Sequence, residues 1–456
     1  VVTGAEIREA IRTRRATVVE IIEDALLAAE GDTLNSFIEV DRPGALERAR
    51  DLDARLAAGD DPGPLTGIPI GLKDLMHHAG HVTTAGSSFY RHHATTSATA
   101  VQRLEDAGAV IVGRTGLHEF AYGFNSENEW FGPVRNPWDP TLSPGGSSGG
   151  SGAAVGAGLL PIAIGTDTGG SVRVPAALCG IVGLKVTHGR VPTSGVVPLA
   201  ESMDTVGPLA ATVDDVALAY EAMAGDAIED PWSVPAPTEE AGPMPLDTLR
   251  AGIPVQWLAD APMTAEARAA FTTAVDALAD LGVTVVELDS PTLAPSSVGW
   301  LLSAAEAASV HRGWFPDPEK AYGQQIESRL AAAMEVSVDQ YIDARRWQAG
   351  LVGAARRAFE TVDTLLLPTA GHNRKVIGEE TIDVDGESVH HRAVLAHFTA
   401  TVNQMWCPAI ALPLTGTGTP PHSIQLVGSW WSEPMLLDVG RQLEATDLVG
   451  FELPPA

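Results

Sequence analysis

Short unbroken apolar runs, each coupled to a segment of helical periodicity, set the limits on what this chain can fold into. ATAVQRLEDAGAVIVGRT (98–115) reads as a helix, a glycine turn and a buried strand. LPIAIGTD (160–167), IVGLKVT (181–187) and TLLLPTA (364–370) are further strands of the same kind, and LTGIPIGLKDL (65–75) mixes a short apolar strand with a turn. A strand with one face in water alternates polar and apolar residues, whereas these do not, so both faces must be covered. Helices are expected in GAEIREAIRTRRATVVEIIEDALLAAE (4–30) and GALERARDLDARLAAG (44–59), and a helix–strand unit in TAEARAAFTTAVDALADLGVTVVEL (264–288). The expected class is α/β, with a large central sheet covered by helices on both faces.

The chain has 456 residues and is 45% apolar, so it can bury a large core. Length alone admits one domain or as many as three. Residues 226–249 are rich in Pro, Glu and Asp and read as a surface connection, but the same α/β pattern resumes after them. The expectation is therefore one domain over 1–456, with a helical cover at about 292–361.

Asp and Glu number 58 against 29 Lys and Arg, a formal charge of −29. That balance argues against direct contact with nucleic acid or an anionic membrane. Cys179 and Cys407 are the only cysteines, which excludes a disulfide framework and a zinc ribbon. VVTGAEIREAIRTRR has early acids and no apolar core, unlike a signal or transit peptide. The run 153–165 is too short and glycine-rich to span a bilayer. A cytoplasmic protein is expected.

SPGGSSGGSG (143–152) has the composition of a flexible linker. A linker is flanked by polar sequence, whereas this stretch runs straight into GAAVGAGLLPIAIGTD. Gly152, Ala153, Gly156 and Ala157 recur at helical spacing and suit a helix lying close against a sheet. No lysine follows the glycines as a phosphate-binding loop requires. Gly150, Gly152 and Gly156 imitate a dinucleotide-binding spacing, but NPWDPTLSP before them holds three prolines and cannot be the required buried strand.

GTDTGGSVRVPAALCG (165–180) places Ser171 after Gly169 and Gly170 at the end of a buried strand. Two glycines let backbone N–H groups converge on one point, and a serine beside them can present its hydroxyl to the same point. No histidine lies near these loops in sequence; His77, His78 and His81, and His92 and His93, read as surface residues. Lysine is rarer: only Lys73, Lys185, Lys320 and Lys375 occur. Lys73 sits among apolar residues, either paired with an acid such as Asp74 or desolvated, and desolvation would make it a neutral base.

GGSSGG (145–150), GTDTGGSVRVPA (165–176) and GIPIGLKD (67–74), with Ser171 24 positions after Ser147, resemble the amidase signature family. TTAGS (83–87), AVIVGRTGLHEFAYG (109–123), GPVRNPWD (132–139) and NQMWCPAIALP (403–413) extend the resemblance over most of the chain. It implies a mixed central sheet and a Ser–cis-Ser–Lys triad. Ser171 would be nucleophile, Ser147 relay after a cis peptide bond, and Lys73 base. Backbone N–H groups of Thr168, Gly169, Gly170 and Ser171 would form the oxyanion hole. Asp167 and Arg173 would brace that loop as an ion pair, and Ser148 would hydrogen-bond to the triad. No metal or cofactor is implied.

The resemblance further implies cleavage of a carbon–nitrogen bond in a small molecule. Trp300, Trp314, Phe315, Tyr322, Tyr341 and Trp347, with Trp406, Trp430 and Trp431, lean the expected substrate towards an apolar or aryl amide. An aryl carbamate fits the same triad, giving a urethanase. The rival within the family is the glutaminase component of a tRNA-dependent amidotransferase, which works only with partner chains. A cysteine hydrolase built on Cys179 and a non-catalytic binding module are the readings from other classes. A homodimer is left open.

Overall fold

The computed structural model describes residues 2–237 and 243–455. Eleven strands form one sheet: β1 (Phe37–Val40), β2 (Pro69–Lys73), β3 (Val110–Thr115), β4 (Ile162–Asp167), β5 (Val182–Lys185), β6 (Thr205–Ala210), β7 (Arg250–Pro254), β8 (Thr284–Leu288), β9 (Thr364–Pro368), β10 (Ala409–Pro413) and β11 (Ser423–Gly428). Their spatial order is β1-β3-β2-β4-β6-β5-β10-β11-β9-β7-β8. The sheet is mixed: β3, β2 and β4 run parallel to one another, and β6, β5, β10 and β11 pair antiparallel. The parallel trio brings the carboxyl ends of β2 and β4 side by side, the edge at which open α/β sheets form sites.

The unbroken apolar strands have the expected cause. Along β4, Ile162 and Ile164 join the core built with Val101, Leu104, Val213 and Val216, which lie on the helices Thr99–Asp106 and Val213–Met223. Ala163, which points the other way, packs with Val155, Val172, Ala176 and Cys179 from the helices Gly149–Gly156 and Arg173–Cys179 and their flank. Alternate residues of a strand face opposite sides, so both sides here require apolar residues. Removing a core side chain such as Leu72 costs about 2–5 kcal/mol.

Both helices on the second side are wholly buried. The glycines of 149–156 permit this. A Cβ at Gly150 would lie 2.3 Å from Gly116 N and 2.4 Å from Ser36 O, so only glycine lets the helix meet that backbone. The Gly/Ser stretch is thus part of the core. Of the connection expected at 226–249, residues 238–242 lie outside the described residues.

The stretch expected to be a helical cover holds the helices Gly299–His311, Gln324–Met334 and Val338–Ala358. Its aromatics do not act together. Trp314 and Tyr322 cluster with Phe89 and Phe120, and Phe315 packs edge-on against Tyr322. Trp347 and Trp430 pack against the main core, and Tyr341 donates to Glu306. Among the described residues no helix is long and apolar enough to cross a membrane.

Candidate active site

Lys73 ends β2 with its side chain fully buried. Its Nζ donates to Ser147 Oγ at 2.7 Å and to Thr166 Oγ1 at 2.7 Å. Asp74, the next residue, is engaged elsewhere. It accepts from Arg114 Nη2 at 2.8 Å and Nε at 3.0 Å, and from Thr84 N at 3.0 Å. Lys73 therefore makes no ion pair among the described residues. Burial lowers its pKa to about 7, although Asp167 and Asp204 pull in the opposite direction. A buried lysine of this kind holds a neutral amine near neutral pH.

Ser147 follows a cis Gly146–Ser147 peptide bond just before the helix 149–156. Its carbonyl accepts from His118 N at 3.1 Å and Ser126 Oγ at 3.3 Å. Ser171 lies beyond the end of β4, joined to the first loop by Ser148 N donating to Ser171 O at 3.3 Å. The hydroxyls of Ser147 and Ser171 are not hydrogen-bonded to each other. Ser148 thus bonds to the trio through its backbone, while its hydroxyl donates to Thr166 O at 3.2 Å and accepts from Thr166 N at 3.3 Å and so fastens the loop to β4.

The turn 168–171 is fixed by Asp167. Its carboxylate accepts from Gly170 N at 2.7 Å, Val172 N at 3.1 Å and Arg173 Nε at 3.1 Å. Burial alone would raise this carboxyl, but Arg173, helped by Lys185 and Asn403, outweighs it and holds the group well below the usual carboxylate range. Gly170 N–H is therefore occupied by Asp167 and is not a donor free for an oxyanion. Thr168, Gly169 and Ser171 have backbone N–H groups with no such acceptor among the described residues. Gly170 has φ +127°, and a Cβ there would lie 2.2 Å from Thr399 Oγ1, so the turn requires glycine.

Several supporting residues escape sequence reasoning. Arg173 also donates to Gln425 Oε1 at 2.9 Å, Asn403 Oδ1 at 2.7 Å and Thr399 O at 3.0 Å. Thr168 donates its hydroxyl to Asp204, which in turn accepts from Leu199 N and Ala200 N. Thr166, inside the motif already singled out, carried a signal; Asp204 and Gln425 carried none.

Among the described residues no histidine side chain bonds to Lys73, Ser147 or Ser171. His77, His78 and His81 are half-buried, not surface residues as expected, whereas His92 and His93 are exposed; His77 stacks on His92 at 4.0 Å and His78 on His81 at 4.4 Å. Cys179 and Cys407 are buried free thiols, and burial raises both above the ordinary thiol pKa. Neither is poised to act as a nucleophile.

A narrow cleft opens on Ser171 and Gly169. Tyr122, Phe124, Leu199, Trp300 and Arg392 wall it. Of the aromatics singled out in sequence, Trp300 alone lines it; Tyr122 and Phe124 come from the loop after β3.

The family model for amidases matches residues 20–437. The glutamyl-tRNA(Gln) amidotransferase A-subunit from Azoarcus sp. is 36% identical over 96% of this chain and 96% of its own length. A chain from an unexpected vestigial protein complex, reported to reveal the evolutionary origins of an s-triazine catabolic enzyme, superposes with a TM-score of 0.91 at 32% identity, covering 99% of this chain and 100% of that one. A crystal structure of an amidase gives a TM-score of 0.88 at 32% identity, covering 97% and 99%. The match runs through every segment that frames Lys73, Ser147 and Ser171, and the chain belongs to the amidase signature family of enzymes acting on amide carbon–nitrogen bonds.

Proposed function

We propose that the chain hydrolyses a small amide or carbamate through an acyl-enzyme on Ser171. The observation that carries this reading is the 2.7 Å contact between the fully buried, ion-pair-free Lys73 amine and Ser147 Oγ. Neutral Lys73 takes the Ser147 proton as Ser147 takes that of Ser171, whose Oγ attacks the carbonyl carbon. A rotation of the Ser171 side chain brings the two hydroxyls into line. Backbone N–H groups of Thr168, Gly169 and Ser171 receive the oxyanion. As the carbon–nitrogen bond breaks, Ser147 returns a proton to the nitrogen. Water then cleaves the acyl ester by the same relay. The continuous sheet supports reading residues 1–456 as one domain with its cover at about 292–361.

Two substrate readings have separate support. Tyr122, Phe124, Leu199 and Trp300 around Ser171 favour an aryl or apolar group, with amide and carbamate served alike. The 36% identity to an amidotransferase A-subunit favours glutamine, with ammonia passed to a partner chain. The comparisons weigh towards the second reading. The cleft's lining weighs towards the first, because among the described residues it offers no carboxylate to the ammonium of glutamine. The deciding experiment is a hydrolysis panel on the isolated chain, with an aryl acylamide, an aliphatic amide, an aryl carbamate and glutamine. Turnover of the aryl compounds without a partner supports the free hydrolase. Turnover confined to glutamine supports the amidotransferase component. No turnover, together with no labelling of Ser171 by a sulfonyl fluoride, defeats both.

A further inference from the structure

Arg392 stands in the first turn of the helix His391–Ala396 and, with Trp300, separates the cleft that holds Ser171 from a neighbouring cavity lined by Ser296, His397 and Gln404. Its guanidinium lies 5.0 Å from the Trp300 ring centre and 5.9 Å from that of Phe124. Other arginines nearby are occupied. Arg114 serves Asp74, Arg173 serves Asp167, and Arg329 donates to Tyr122 O and, at 3.3 Å, to Gln325 Oε1. The Arg392 guanidinium donates to no protein atom among the described residues and forms no ion pair there.

The charges around Arg392 do not supply what it lacks. Arg329 adds a second positive charge on the same side, and burial followed by the field of Arg392 lowers its pKa to about 9. Burial lowers Arg392 as well, opposed only by the Tyr122 phenol. Glu380 acts on Arg329, and among the described residues the cleft has no acidic lining residue. A guanidinium stacked on aromatic faces keeps its N–H edge free, and that edge matches a carboxylate with two parallel hydrogen bonds.

We propose that Arg392 recognises a carboxylate on the substrate, so that the preferred amide or carbamate carries an anionic group on one arm beside an aryl or apolar portion held at Trp300 and Phe124. This rests on the Ser171 cleft being the substrate site. The competing role for Arg392 is mechanical, as a lid gluing Trp300 to Phe124; that role would affect charged and neutral ligands alike.

The test reads binding to the full chain carrying Ser171→Ala, so it does not depend on turnover. Succinanilate and its neutral counterpart N-phenylsuccinamide differ in a carboxylate against a carboxamide of the same shape. Calorimetric titration is expected to show the acid binding about tenfold more tightly, the scale of one charge-assisted pair. Adding Arg392→Gln is expected to bring the two affinities within about twofold of each other, while Arg392→Lys, which keeps the charge, retains part of the preference. Added salt is expected to weaken the acid and spare the amide. Equal binding of the two compounds, undetectable binding of the acid, or an acid preference that survives Arg392→Gln overturns the assignment. Turnover of anilides by the native chain without acid preference defeats the role of Arg392 and leaves the Ser171 reading standing. Arg392-dependent binding of an acid that the native chain never cleaves does the reverse.

Discussion

Arg114 Nη2 lies 2.8 Å from Asp74 Oδ1, with both side chains buried. Arg114 also donates to Met76 O at 2.6 Å, so the pair closes the loop that follows β2. The pairing keeps the acid beside Lys73 in sequence from becoming its counter-ion, and so leaves the amine to Ser147. Arg114→Met would strand a buried carboxylate, and a loss of about 3–5 kcal/mol is expected. Denaturant unfolding of the native and variant chains measures it; a loss below about 1 kcal/mol would mean that Asp74 finds another partner.

The pH dependence follows from the sign of the Lys73 shift. Its pKa is lowered from 10.5 to about 7, first by burial, so the neutral fraction grows as pH rises through that value. We expect kcat/KM to climb with pH along a limb centred near 7, where an unperturbed lysine would place it above about 10. A variant with His77, His78 and His81 changed to Gln should keep that limb. A displacement by about one unit or more in the variant would assign the base to a histidine.

Ser171→Ala is expected to abolish turnover while leaving the melting temperature in place, because the Ser171 hydroxyl makes no hydrogen bond among the described residues. A sulfonyl fluoride should modify Ser171, read by peptide mass mapping. Cys179 and Cys407 are buried with raised pKa and should stay unmodified in the folded chain. Inactivation that follows labelling of either thiol would contradict the Ser171 assignment.

Ser147 and Lys73 are expected to act as one unit. Each alanine substitution alone should lower kcat by orders of magnitude, and the double variant should be little worse than the poorer single one, since members of a relay are non-additive. Single- and double-variant kinetics on one aryl amide check this. Losses that multiply in full would show two independent roles.

The layered architecture was legible in the sequence because the cause is local. A strand covered on both faces must be apolar throughout, and 162–164 and 182–184 declare this within a few residues. The order of eleven strands was not legible, since pairing β5 with β10 joins segments more than two hundred residues apart. At the site, Ser171 and Lys73 could be picked out from a glycine turn and an isolated lysine, whereas Ser147 followed only from the resemblance to the amidase signature family. That Gly170 N–H belongs to Asp167, and that Ser148 bonds Thr166, depended on how the turn closes in space.

Sequence by itself determined the burial of the Gly/Ser stretch and the chemical types gathered around Ser171, because helix–sheet contact demands small residues and a tight turn demands glycine. Tertiary structure alone decided which aromatics line the cleft at Ser171 and which charges go unpaired among the described residues. Trp314 and Tyr322 turned into a core cluster while Trp300 reached the cleft, and Arg392, 221 positions after Ser171, came to share a wall with it. Helical spacing fixes which residues share a face, but the partner of that face is chosen by packing across the whole chain, where burial of one ring excludes another from the same space.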